Sequence, residues 1–186
     1  MSDNSTCYSS DEDFQKSSEN VNDRSLTETF LKYFGVSLFN IVKNNHKFIK
    51  KHDSKNQGIY LSFYKTPKIS IMDYLYRIHK FSKFDNSNII LAYIYIKRLT
   101  SKKNFYLSQF NVHRIILISI LLALKYNSDI QYTNKYFSLI GGIPLDNINK
   151  IEYEFCNFID FNFYVSENEF DIMKEMFVNN KILLKD

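Results

Sequence analysis

The segment "NVHRIILISILLALKYNSD", residues 111–129, decides how the rest of the chain is read. Between Ile115 and Leu124 it holds a single polar residue, Ser119. A helix that is apolar nearly all round is one surrounded by other helices. The apolar run is about ten residues, well short of the ~20 needed to span a bilayer, so it predicts a buried helix and not a membrane span. The run stops abruptly at Lys125, followed by Tyr126 and a polar exit. A cation at a helix C-terminus is favoured by the macrodipole, and that reading of Lys125 stands beside any functional one.

Working outward, the neighbours show helical spacing. Upstream, "SIMDYLYRIHKFSK" (70–83) begins at Ser70 with Asp73 three residues on, a capping signal, and "NSNIILAYIYIKRLTSK" (86–102) follows a short polar break. The central helix is predicted over 107–126, with Ser108 as its N-cap. Downstream, "TNKYFSLI" (133–140) ends at Gly141-Gly142, and "PLDNINKIEYEFCNFIDF" (144–161) opens on Pro144, suited to a first helical turn. A last helix is predicted from about Glu167. Before this run, residues 25–52 place Leu26, Phe30, Phe34, Leu38, Ile41, Val42 and Ile49 near one helical face, with Ser25 and Glu28 as a capping box and an expected break near Gly35. Residues 53–68 read as a linker.

Composition agrees with an all-α fold. The 186 residues include only four Gly and two Pro, fewer than the turns of an all-β domain usually need. Residues 1–24 carry six acids and two bases among Ser and Asn, a composition that predicts a disordered acidic tail. That tail is net −4, which leaves +8 on the remainder of a chain whose total is +4. Ser9 and Ser10 each precede an acid by three residues, a pattern acidophilic kinases accept. Cys7 and Cys156 form no CxxC pair or His/Cys cluster, so neither a disulfide framework nor a zinc site is expected, and no apolar N-terminal segment reads as a secretory signal. No Gly-rich phosphate loop or nucleophile–base pair appears, so no enzyme activity, cofactor or small-molecule substrate is expected.

At this level the stretches become recognisable. "PKISIMDYLYRIHKFSKFDNSNIILAYIYIKRL" (67–99) resembles the first two helices of a cyclin box, "FNVHRIILISILLALKYNSD" (110–129) its third, and "NKYFSLIGGIPLDNINKIEYEFCNFIDFNFYV" (134–165) its fourth and fifth. The pattern is similar to the P/U-type cyclins, the phosphate-pathway group, and "SLFNIVKNNH" (37–46) resembles the helix before the box in that group. The resemblance implies five helices around a buried third, with the box at 59–166, a preceding helix and linker at 25–58 and a C-terminal helix at 167–186. It implies an intracellular regulatory subunit, in nucleus or cytoplasm, that binds and activates a cyclin-dependent protein kinase in cell-cycle or related control. It implies no membrane and no nucleic-acid partner.

The resemblance also implies a role for the lysine. In cyclins a lysine ending the third helix and a glutamate on the fifth clamp the kinase; Lys125 and Glu152 match them. Both are expected at the rims of a groove between those helices, with no strong partner inside the monomer. Asp129, after the third helix, is a turn residue or a contact to basic residues of the kinase. Two departures stand out: Lys97 in "YIKR" replaces the usual acid, and "SIMDYL" stands where cell-cycle cyclins carry a substrate-docking motif. His113 and Arg114 are read as anchors and not catalysts. The basic run 43–55 supports one alternative, a cyclin-fold nucleic-acid-binding transcription factor akin to general transcription factor B, which carries two such repeats.

Overall fold

A computed structural model describes residues 11–49, 61, 66–103, 105–129 and 132–183, with side chains for all of these but 11–24, 47–49 and 180–183. Among the described residues there are seven helices and no strand: α1 (Asp11–Ile49), α2 (Ile71–Ser82), α3 (Asn86–Thr100), α4 (Val112–Asn127), α5 (Asn134–Gly141), α6 (Leu145–Phe158) and α7 (Glu167–Leu183). The five helices α2–α6 are those expected of the box.

Local chemistry sets the helix ends. Ser70 Oγ accepts from Asp73 N at 3.0 Å and starts α2. Asp85 and Asn88 exchange reciprocal side-chain and backbone bonds, a capping box that starts α3. Thr133 caps α5, and Gly142, at φ 67°, ends it in the left-handed region that glycine enters without steric cost. The buried α4 starts later than the sequence predicts. Ser108 is not its N-cap: Ser108 N donates to Asn111 Oδ1 at 2.7 Å and Val112 N to Ser108 O at 3.0 Å. The two residues close a tight turn ahead of the helix, and α4 begins at Val112.

From Val112 to Leu124 every residue of α4 except Arg114 is buried. The helix touches α2, α3, α5 and α6. Ile116 and Leu122, predicted buried, are 0% and 2% exposed. The helix α3 is nearly as enclosed, buried continuously from Asn88 to Ile96. Its second face is covered by α1 and α7. There Phe177 of α7 meets Tyr33 of α1 at 4.7 Å, Phe30 at 5.3 Å and Tyr93 of α3 at 5.3 Å. Beside this cluster, Arg98 donates to Asn162 O (2.7 Å), Tyr164 O (2.8 Å) and Glu169 Oε2 (2.7 Å). Arg98, and not the exposed Lys97 next to it, therefore ties α3 to the segment entering α7.

The N-terminal helix corrects the sequence reading twice. It starts at Asp11 and runs through Ser25, whose carbonyl accepts from Thr29 Oγ1 at 2.8 Å, so Ser25 and Glu28 are not a capping box. Nor does α1 break at Gly35. A Cβ there would lie 2.1 Å from Met72 Sδ, so the glycine serves the close approach of α1 to α2. Of the predicted tail, residues 1–10, with Ser9 and Ser10, lie outside the described residues, as does most of the predicted linker at 53–68.

Candidate functional site: a lysine–glutamate–asparagine ring

The exit of α4 answers why a buried helix ends in a lysine. Lys125 is the first exposed residue after Leu124. Its Nζ lies 2.5 Å from Glu152 Oε1 on α6 and 2.7 Å from Asn134 Oδ1, on the first residue of α5. Asn134 Nδ2 donates in turn to Glu152 Oε2 at 2.6 Å and to Asn149 Oδ1 at 2.7 Å. Three helices thus contribute to one closed ring of hydrogen bonds. The side chains of Lys125 and Glu152 are 31% and 20% exposed, neither desolvated nor fully wet.

The sequence pairing of Lys125 with Glu152 therefore corresponds to a spatial one. One expectation fails. The residues do not lack partners in the monomer; each is the other's partner. The helices α4 and α6 that carry them are in contact, and Ile148, Ile151 and Phe155 of α6 are buried. The cavity nearby, of about 670 Å³, runs along the outer face of α6, lined by Asn149, Lys150, Tyr153, Glu154, Asn157 and Phe158. Asp129 is exposed in the bend after α4 and takes no part in the ring. Asn134 was missed by sequence reasoning. Its only signal was its place after the Thr133 cap, which does not distinguish it from any polar residue of a first turn.

The polar groups around the site are held by burial and hydrogen bonds. Burial, with help from Glu152 and opposed by Lys125, pushes the Cys156 thiol up to about 11, so it stays protonated and unreactive. His113 is buried; its Nε2 lies 2.9 Å from Ile69 O and pins the segment entering α2, while burial lowers its pKa. Tyr74, edge-on to that ring at 5.2 Å, donates to Gly141 O at 3.1 Å, and burial raises its phenol well above the usual range. These are anchoring groups. Two exposed aromatics are the chain neighbours of the ring residues: Tyr126 follows Lys125 and stacks on Phe163 at 4.3 Å, and Tyr153 follows Glu152. Among the described residues no group of three or more acids, histidines or cysteines is placed to hold a metal, and no helix is long and apolar enough to cross a membrane.

Such a five-helix box with a buried third helix defines a class, and comparison with known proteins agrees. The cyclin family model matches residues 1–163, and the chain belongs to the cyclin family. Similar relatives include Cyclin-U4-3 of Arabidopsis thaliana, 38% identical over 106 residues (56% of this chain, 48% of the relative). Cyclin-P4-1 of Oryza sativa subsp. japonica is 40% identical over 105 residues (56% and 50%). The PHO85 cyclin-like protein psl1 of Schizosaccharomyces pombe is 36% identical over 114 residues (60% and 47%). Within the family, the chain is thus of the P/U type. It spans about half the length of these relatives.

Proposed function

We propose that the chain is a regulatory subunit that binds a cyclin-dependent protein kinase and activates it, doing no chemistry itself. The observation that carries this reading is the partly exposed ring of Lys125, Glu152 and Asn134 at the meeting of α4, α5 and α6 in a chain of the cyclin family. In the ring, Lys125 uses two of its three ammonium donors and leaves one for a partner's carbonyl. Glu152 keeps lone pairs for a partner's N–H. Charge-assisted bonds of this kind suit the end of a helix, where backbone groups have no partner of their own. The exposed Tyr126 and Tyr153, next in the chain to Lys125 and Glu152, supply apolar area of the sort enriched at interface centres.

Activation follows from binding. A kinase needs the glutamate of its C helix paired with the catalytic lysine to hold ATP correctly. A partner that binds better to the inward position of that helix shifts the population toward the active state. Asp129, exposed beyond α4, adds a carboxylate within reach of basic residues near the activation segment. Work in the nucleus or cytoplasm follows from such a partner. The nucleic-acid alternative rested on the basic run 43–55. Within it Asn45 is spent on a bond to Leu107 O at 3.1 Å, and residues 50–55 lie outside the described residues. The test is purification of the full chain from its native cell, scored for a co-purifying protein kinase, then activation of that kinase with purified components. Absence of kinase together with salt-sensitive DNA retention would overturn the reading.

A further inference from the structure

We propose that Asn134 is a positioning residue for the kinase contact, one that fixes Lys125 and Glu152 in their binding geometry before the partner arrives. The proposal rests on the reading that this face binds the kinase. The chemistry leaves little choice of residue type. Lysine is donor-only and an ionised glutamate acceptor-only. A side chain that must bond both at once needs an acceptor and a donor a fixed distance apart. The amide of Asn134 has them, and its orientation is forced: Oδ1 faces Lys125 Nζ at 2.7 Å, Nδ2 faces Glu152 Oε2 at 2.6 Å. With the direct Lys125–Glu152 bond, the ring closes. The second Nδ2 proton goes to Asn149 Oδ1 at 2.7 Å, which ties the ring to the outer face of α6.

The position of Asn134 is itself held from a distance. It is the first residue of α5, behind the Thr133 cap. Tyr136 Oη donates to Phe81 O and Tyr132 Oη to Ser82 O, each at 2.6 Å. Two tyrosine hydroxyls therefore fasten the start of α5 to the end of α2, and the amide is delivered to the ring by that attachment. A lysine otherwise free to rotate is ordered in advance, and its ordering cost is removed from the binding step.

The test compares Asn134→Ala, Lys125→Ala, Glu152→Ala and the Asn134→Ala/Lys125→Ala double variant in affinity for the co-purified kinase, with thermal unfolding of each. Asn134→Ala is expected to weaken binding about tenfold, with an unfolding temperature close to wild type. The double variant should lose less than the product of the single losses, because Asn134 acts through Lys125. Asn134→Asp supplies an independent readout. It replaces the donor facing Glu152 with an acceptor while keeping an acceptor for Lys125, so Asn134→Asp should bind no better than Asn134→Ala. If Lys125→Ala and Glu152→Ala weaken binding while Asn134→Ala does not, or if the losses multiply, or if Asn134→Asp binds like wild type, the positioning role is overturned and the contact itself stands. If neither Lys125→Ala nor Glu152→Ala weakens binding, the contact falls and the positioning role with it.

Discussion

Lys125 and Glu152 hold each other in the unbound chain, yet both stay partly in water. Ion pairs that keep access to water contribute about 0–1 kcal/mol to folding. Lys125→Ala or Glu152→Ala should therefore shift unfolding free energy by no more than about 1 kcal/mol, read by urea titration. Asp129 is exposed and outside the ring. If it meets the activation segment, Asp129→Asn should lower activation of an unphosphorylated kinase; unchanged activation would leave it a turn residue. His113 gives a pH signature. Burial lowers its pKa below the usual 6.5, partly offset by bonds to the Ile69 and Ser70 backbone. The unfolded chain takes up the proton first, so this stabilising contribution is complete above pH 6.5 and is lost as pH falls through the lowered folded value. His79, also lowered by burial, adds in the same direction. The urea midpoint should drop between pH 7 and 5.5, and His113→Asn should flatten that drop.

At the scale of elements, α4 was legible because its apolar run admits no other reading. Polar substitution there should be severe: Ile116→Asn or Leu122→Asn should cost about 2–7 kcal/mol, as burying an unmatched amide does, seen as loss of cooperative unfolding. Starts marked by a single residue were also legible: Ser70 caps α2 as read, and Pro144 stands one residue ahead of α6 as its N-cap and not inside its first turn. Starts set by pairs were not. The Ser108–Asn111 turn looks like a capped helix start in sequence, and only the bond from Ser108 N to Asn111 Oδ1 reveals it as a turn. Gly35 looks like a breaker; what it does depends on Met72, which lies 37 positions away in the chain. Gly142 reads correctly as a stop, and Gly142→Ala should cost about 1–2 kcal/mol, the usual left-handed penalty for an L residue. The site followed the same division. Lys125 and Glu152 were found through family resemblance, whereas Asn134 is defined by where α5 begins relative to α6, which no local pattern encodes.

In the whole molecule, α1 and α7 complete the box and do not merely flank it. They turn α3 into a second enclosed helix, and Phe177 is the shared contact of α1, α3 and α7. Phe177→Ala should destabilise by about 3–5 kcal/mol, in contrast to the near-neutral changes at the Lys125–Glu152 ring. That contrast separates variants that fail to fold from variants that fail to bind. Everything proposed here turns on whether this cyclin-family chain engages a cyclin-dependent kinase through the ring on α4, α5 and α6. The most direct measurement is the affinity of folded Lys125→Ala and Glu152→Ala for the co-purified kinase, read together with kinase activation. Each should lose about 2–5 kcal/mol of binding, the usual effect of removing one side of a charged contact desolvated in a complex, and activation should fall in step. Wild-type affinity and activation in both variants would contradict the claim, even with the cyclin fold intact.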